Sequence, residues 1–293
     1  MTGGGSDRRS NLIGSLWMVC AMAGFAVEDT FIKAASVHLP VGQVLILFGL
    51  GGMAVFAVLA WWQKGPLLSR DALSRPMRVR VFFELIGRLF YTLALALTPL
   101  SSATAILQAT PIVVVLGAVV VFGERVGWRR WLAIGLGLIG VLIILRPGTE
   151  GFSALSLLAV AGMLGFAGRD LASRAAPVSV STAVLGFWGF ATIFAAGVFF
   201  SLWDRQAFAW LDTATSLYMA GAVVMGALAY ASLMRAMRTG EVSFVTPFRY
   251  TRLLFGVGLG VLLFGERLDP VMILGCAIVV VSGLFILWRG KRV

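Results

Sequence analysis

Residues 89–123 read LFYTLALALTPLSSATAILQATPIVVVLGAVVVFG, thirty-five positions without a charged side chain. A bilayer crossing takes about 20 apolar residues in helical form, so this run holds two crossings. Thr98-Pro99 divides it, because proline disfavours helix in the residue before it. The reading predicts a third span over 79–97 and a fourth over 101–122.

The same rule extends outward in both directions. Span one covers 10–37, with Glu28 and Asp29 inside it, and Pro40 opens span two, which runs to 62. Residues 64–80 carry five cations and one acid, so they predict a loop with room for a short interfacial helix. Span five covers 128–145 and closes at Arg146-Pro147-Gly148. The second half repeats the rhythm over 152–173, 178–203, 213–237, 242–264 and 270–288. The expectation is an all-α integral membrane protein of ten transmembrane helices.

Composition agrees. Hydrophobic residues make up 59% of the 293 and charged residues 13%, and the mean hydropathy is +0.95. Soluble domains carry about 25% charged residues, so this chain lacks the polar surface to stay in solution. The formal charge of +11 fits loops facing anionic lipid rather than nucleic acid. With the N-terminus inside, 17 cations fall on the cytoplasmic side, 4 outside, and Arg88, Arg249 and Arg252 within spans. Both termini are therefore expected in the cytoplasm of a bacterial cell, with the chain in the inner membrane. Residues 1–10 predict a disordered cytoplasmic tail, with no cleavage site of a signal peptide after it.

Two motifs recur at nearly one offset. Gly24-Phe25-Ala26 with Asp29 matches Gly165-Phe166-Ala167 with Asp170, 141 positions later. Phe122-Gly123-Glu124-Arg125 matches Phe264-Gly265-Glu266-Arg267, 142 positions later. Two charged motifs at one spacing and in one helix context indicate duplication, with repeats over 11–148 and 149–293. Each repeat holds five spans, an odd number, so the second is inverted relative to the first. Inverted repeats are an architecture of secondary transporters, which bind substrate near mid-membrane between the halves.

The chain here resembles the drug/metabolite transporter superfamily, specifically its EamA-type ten-helix exporters. The residues that carry the likeness are Pro111, Gly123-Glu124-Arg125, Gly135 and Gly140, then Gly265-Glu266-Arg267, Gly275 and Gly283. Within the family it looks most like the aromatic amino-acid and methyl viologen exporters. The resemblance implies outward movement of amino acids and related small metabolites by alternating access. It also implies a cavity lined by helices one, three, four, six, eight and nine, with five and ten as packing partners. Leu253 stands where a second Pro111 would, and the proline lies earlier at Pro247, so helices four and nine are expected to bend at different depths.

Intramembrane charge is costly and points to function. Asp29 and Lys33 are spaced i, i+4, and so are Asp170 and Arg174. Each is read either as an intrahelical pair near a helix end or as part of a gate, and Pro111 and Pro247 join the gating candidates. Glu84 and Arg88 share that spacing, with Tyr91 on the same stripe. Arg249 and Arg252, beside Tyr250, offer guanidinium forks suited to a substrate carboxylate. Pairing with Glu84, Glu28 or a carbonyl is the competing reading.

Trp17, Trp188, Tyr91 and Tyr230 fall in mid-span, away from the tryptophans of the predicted interfacial belts. On span one Trp17, Ala21, Gly24 and Glu28 form one stripe, as a cavity-lining helix or ordinary packing would. Gln108 adds a polar group beside Pro111, where a freed carbonyl faces inward. The substrate-binding candidates are therefore Trp17, Glu28, Tyr91, Gln108, Trp188, Tyr230, Arg249, Tyr250 and Arg252.

No phosphate-binding loop of the ATPase type occurs, and His38 is the only histidine, so metal or triad catalysis lacks partners. No enzyme activity, cofactor or metal is expected. The expected partners are a small-molecule substrate, such as an amino acid, and the lipid bilayer; the expected state is a monomer. Efflux of quaternary-cation drugs is the alternative, since aromatic rings also hold cations.

Overall fold

The computed structural model describes residues 4–63, 66–97, 106–145, 156–264 and 270–289. Among these the regular structure is helical throughout. The elements are α1 (Gly4–Ser36), α2 (Val41–Trp62), α3 (Arg75–Leu97), α4 (Thr110–Phe122), α5 (Trp128–Leu145), α6 (Ser156–Ala175), α7 (Thr182–Asp204) and α8 (Thr213–Arg238). Span nine follows in three pieces: α9 (Val242–Val245), a 3₁₀ turn (Thr246–Tyr250) and α10 (Thr251–Phe264). The tenth span is α11 (Pro270–Arg289). By length and composition alone, α1 from Arg8, α2, α7 and α8 are long and apolar enough to cross a membrane. Helices α3 and α6 are of similar length, but they carry buried acidic and basic side chains.

The elements begin and end where local chemistry dictates. Ser181 caps α7 by accepting from Val184 N at 3.3 Å, and Asp212 caps α8 by accepting from Thr215 N at 2.7 Å. The hydrogen bonds from Thr215 hold the Asp212 carboxyl below the usual carboxylate range. Helix α4 stops at Gly123, whose φ of 66° lies in the left-handed region that glycine adopts without strain.

Four boundaries differ from the expectation. Residues 4–10, expected as a disordered tail, continue α1. The loop after α2 ends at Ser74, so Arg75, Arg78 and Arg80 belong to α3. Pro111 sits in the first turn of α4 and starts it rather than bending it. Span nine is broken ahead of α10, where Pro247 opens the 3₁₀ turn. The two spans restart at equivalent positions, α4 at Thr110 and α10 at Thr251, 141 positions apart; only the prolines differ in place, Pro111 in the first turn of α4 and Pro247 in the 3₁₀ turn ahead of α10.

The packing pattern carries the duplication. Helix α1 lies on α8 and α3 on α6, while α2 lies on α7 and α5 on α11. Exchanging the halves swaps the first two pairs and maps each of the last two onto itself. The contacts match in detail. A Cβ on Gly24 would stand 2.9 Å from the Ala229 Cβ, and one on Gly165 would stand 2.4 Å from the Gly87 nitrogen. Gly52 receives the Phe190 ring and Gly186 the Phe56 ring in the same reciprocal way. These rings cluster with Phe48 and Tyr230, with centroids 5.1 to 6.3 Å apart, and form the core between the halves.

Candidate functional site

Two charged clusters join the repeats, and both border the Phe166 ring, which Arg169 meets at 5.0 Å and Arg88 at 5.9 Å. The first is closed. Glu84 on α3 accepts from Arg169 Nη1 at 3.0 Å and from the Tyr230 hydroxyl at 2.6 Å, and it lies 3.5 Å from Arg80 Nη2. Arg80 Nε donates to Ser173 Oγ at 3.0 Å, and its other arm donates to the Tyr230 hydroxyl. Asp170 accepts from Arg169 Nε at 2.8 Å and from Arg249. Every member is buried or nearly so, with Asp170 at 0% and Arg249 at 12% side-chain exposure. Three arginines face two acids here, a balance that costs desolvation and holds only while each partner stays in place.

This arrangement corrects three assignments. Arg80 and Arg169, counted among the cytoplasmic cations, are buried within α3 and α6. Both lie within about a turn or two of a loop, so a hydropathy reading places them in water. Glu84 pairs with Arg80 and Arg169, not with Arg88. Asp170 pairs with Arg169 and Arg249, and Arg174 donates to the Met237 carbonyl at 3.4 Å instead.

The second cluster is half open. Arg252 on α10 donates to Asp29 on α1, with Nη2 at 2.5 Å and Nε at 3.1 Å. The Asp29 side chain is 54% exposed and the Arg252 side chain 35%. The Arg252 guanidinium lies 5.3 Å from the Phe25 ring. Glu28 is buried, and its Oε2 has no hydrogen-bond partner among the described residues. On α3, Arg88 stacks over Phe166 at 5.9 Å with a buried Nε that is also unpartnered, and Tyr91 meets the same Phe166 ring at 5.8 Å. Asp29, Arg88 and Arg252 are the charged neighbours of Glu28. The side chain of Lys33 lies outside the described residues.

The remaining candidates are spread around these clusters. Trp17 lies under the Arg235 guanidinium at 4.7 Å. Gln108 is half-buried in the turn ahead of α4. Trp188 donates to the Leu67 carbonyl at 3.2 Å and walls a groove of about 260 Å³ with Met77, Val81 and Phe82. Tyr230 is committed to the closed cluster. Tyr250 donates to the Ile134 carbonyl at 3.3 Å and packs with Val141 and Val279 between α5 and α11. The buried Thr110, Pro111 and Pro247 flank the helix starts of spans four and nine.

Glu124 of the repeated Gly-Glu-Arg motif has a structural role that the sequence does not reveal. Its two carboxylate oxygens accept from Val242 N at 2.9 Å and Ser243 N at 3.0 Å, so it caps the start of α9 in the other half. Arg130 adds bonds to Glu241 and to Ser243 Oγ, and Asn11 Oδ1 accepts from Glu241 N at 2.7 Å. Arg238 donates to the Val180 and Pro177 carbonyls. This end of the bundle is therefore laced shut across both repeats, on the same side as the closed cluster. The counterpart motif at 265–267 lies outside the described residues.

The chain matches the EamA-like transporter family twice, over residues 12–146 and 154–288. It is 28% identical over 299 aligned positions to a riboflavin transporter of Vibrio cholerae, covering 98% of this chain and 97% of that one. It is 22% identical to an S-adenosylmethionine uptake transporter of Rickettsia prowazekii, covering 97% and 95%. A solved crystal structure superposes with a TM-score of 0.80 at 20% identity, over 97% of this chain and 98% of that one, which is a likeness of fold.

Proposed function

The chain belongs to the EamA-like transporter family, and from that premise we propose that it is a secondary carrier for a small polar metabolite with a flat ring, riboflavin being the first candidate. It works by alternating access in a bacterial cytoplasmic membrane. The observation that carries this reading is the half-open cluster. Glu28 and Arg88 each keep a buried polar atom without a partner among the described residues; Arg88 lies against Phe166, whose ring Tyr91 also meets, and Arg252 lies against Phe25. Buried polar groups are ordinarily satisfied, and a vacant pair of opposite character is what a ligand completes. A heterocycle stacks on such rings while its polyol or amide edge bonds the acid and the guanidinium. The full-length likeness to a riboflavin transporter supports the same choice.

A second reading is the export of amino acids expected from the sequence. One observation favours it: Glu28 and Arg88 carry opposite charges, matching the ammonium and carboxylate of a zwitterion. Ligand-induced stabilisation separates the two. A ligand that binds the folded state alone at 100 times its Kd stabilises by about 2.7 kcal/mol. Riboflavin is expected to raise the melting temperature of the solubilised protein, whereas aromatic amino acids and quaternary cations are not. The opposite ranking would sink the riboflavin reading.

A further inference from the structure

A groove of about 260 Å³ lies between the first turns of α3 and α7, and its lining is apolar except for Arg78. Ala72 and Met77 are its buried members, and Val81, Phe82 and Trp188 form its walls. The turn leading into α3 borders it and is pinned to α7 and the segment before that helix. Trp188 Nε1 donates to the Leu67 carbonyl at 3.2 Å, and Ser179 Oγ donates to Asp71 Oδ2 at 2.6 Å. Ten positions of α3 separate Arg78 from Arg88, a rise of about 15 Å. The groove therefore stands apart from the vacant pair.

Charge and apolar surface are ordered along α3. Arg78, Phe82 and Leu85 follow i, i+4, i+7 and share one exposed face, with the cation nearest the loop. Arg70 and Arg75, also exposed, lie on the loop side of it. None of these three guanidinium groups forms a hydrogen bond or ion pair among the described residues. The acid in their midst, Asp71, is engaged by Ser179.

The duplicated frame does not supply these features. The close contacts of Gly24 with Ala229 and of Gly165 with Gly87 align α3 with α8, and the reciprocal contacts of Gly52 and Gly186 align α2 with α7. In that alignment Arg75, Arg78 and Trp188 correspond to Leu217, Ala220 and Ala54. The cations and the aromatic wall therefore belong to this end alone, the one predicted to face the cytoplasm. Basic pockets between helices on that side match anionic lipid headgroups, and the apolar face below the cation matches an acyl chain.

We propose that this groove holds one anionic phospholipid, with an acyl chain against Val81, Phe82 and Trp188 and the phosphate at Arg78. Arg70 and Arg75 add their fields at the headgroup. Trp188, a substrate candidate by its place in the sequence, is here a wall of the lipid site.

Native mass spectrometry of the full-length protein in detergent, with phosphatidylglycerol or phosphatidylcholine added, tests the site. Retention of phosphatidylglycerol over phosphatidylcholine is expected. Arg78→Gln should weaken phosphatidylglycerol about fivefold, the effect of one cation near an anionic lipid. Val81→Trp, which fills the groove, should abolish the preference. Equal retention of the two lipids, or a preference that neither substitution changes, overturns the proposal. If Val81→Trp fails to fold, Arg78→Gln decides alone. Inorganic phosphate that displaces the lipid and binds in its place would assign the rim to a free anion. A mass of two chains without lipid would give the groove to a second copy. Either result overturns the lipid assignment. A second readout locates the chain: phosphatidylglycerol brominated on its acyl chain should quench Trp188, read as the difference between wild type and Trp188→Phe. No difference in quenching overturns the placement.

Discussion

Arg249 and Arg252 stand three positions apart on span nine, and each binds the aspartate of a different repeat: Arg249 holds Asp170 and Arg252 holds Asp29. Asp29 and Asp170 are repeat mates, 141 positions apart. One broken helix therefore connects to equivalent points on both halves, tightly on the closed side and loosely on the open one. A shift of span nine that trades one contact for the other is expected to exchange which side is open.

Asp29→Asn and Asp170→Asn are therefore expected to shift accessibility in opposite directions. Loss of the half-exposed Asp29 pair is expected to move such an equilibrium by about 1 kcal/mol or less, and loss of the buried Asp170 pair by more. Labelling of single cysteines placed at each mouth reads the change. Movement in the same direction in both variants, or none, means that the pairs only satisfy charge.

The two substitutions also differ in their effect on stability. Asp170→Asn leaves Arg169 and Arg249 buried with a weakened partner, at a cost of about 3–5 kcal/mol. The Asp29–Arg252 pair is half exposed, and its loss costs about 1 kcal/mol or less. Thermal unfolding in detergent is expected to rank them in that order, and equal losses would contradict the contrast between closed and open clusters.

Tyr230→Phe keeps the ring packing and removes the hydroxyl that bridges Arg80 and Glu84. A loss of about 1–3 kcal/mol is expected from the buried groups left short of a partner, with the ranking of transported substrates unchanged. A changed ranking at unchanged stability would return Tyr230 to the substrate-binding residues.

Glu124→Ala uncovers two backbone N–H groups at the start of α9. The expected cost is about 1–2 kcal/mol, and cysteines near Val242 should become more reactive from that side. Unchanged stability and reactivity would mean that the cap does not hold this end shut.

The spans themselves were legible because each apolar run is bounded by proline or by charge. Span five was expected over 128–145 and is Trp128–Leu145; span eight was expected over 213–237 and is Thr213–Arg238. The duplication was legible from motifs that survive in both halves. The partners of the charges were not. Spacing within one helix suggests Asp170 with Arg174 and Glu84 with Arg88, because i, i+4 neighbours are all that a single helix offers. The actual partners come from other helices, Arg249 from 79 positions away and Arg169 from 85, and only packing brings them close. Burial of Arg80 was hidden for a related reason. A cation near a span end is assigned to water by default, and α3 instead turns it onto Ser173 and Tyr230. The cap made by Glu124 was hidden because its acceptors serve the backbone of the other repeat.

Counterflow tests the carrier reading most directly. Proteoliposomes loaded with unlabelled riboflavin are given labelled riboflavin outside, with wild-type protein and with Arg88→Ala compared. The prediction is a transient, saturable accumulation of label that depends on the internal riboflavin and is lost when Arg88, one of the two groups proposed to hold the ligand, is removed. Entry no faster than in empty liposomes, or an overshoot that Arg88→Ala leaves unchanged, would contradict the proposed substrate and the site that binds it.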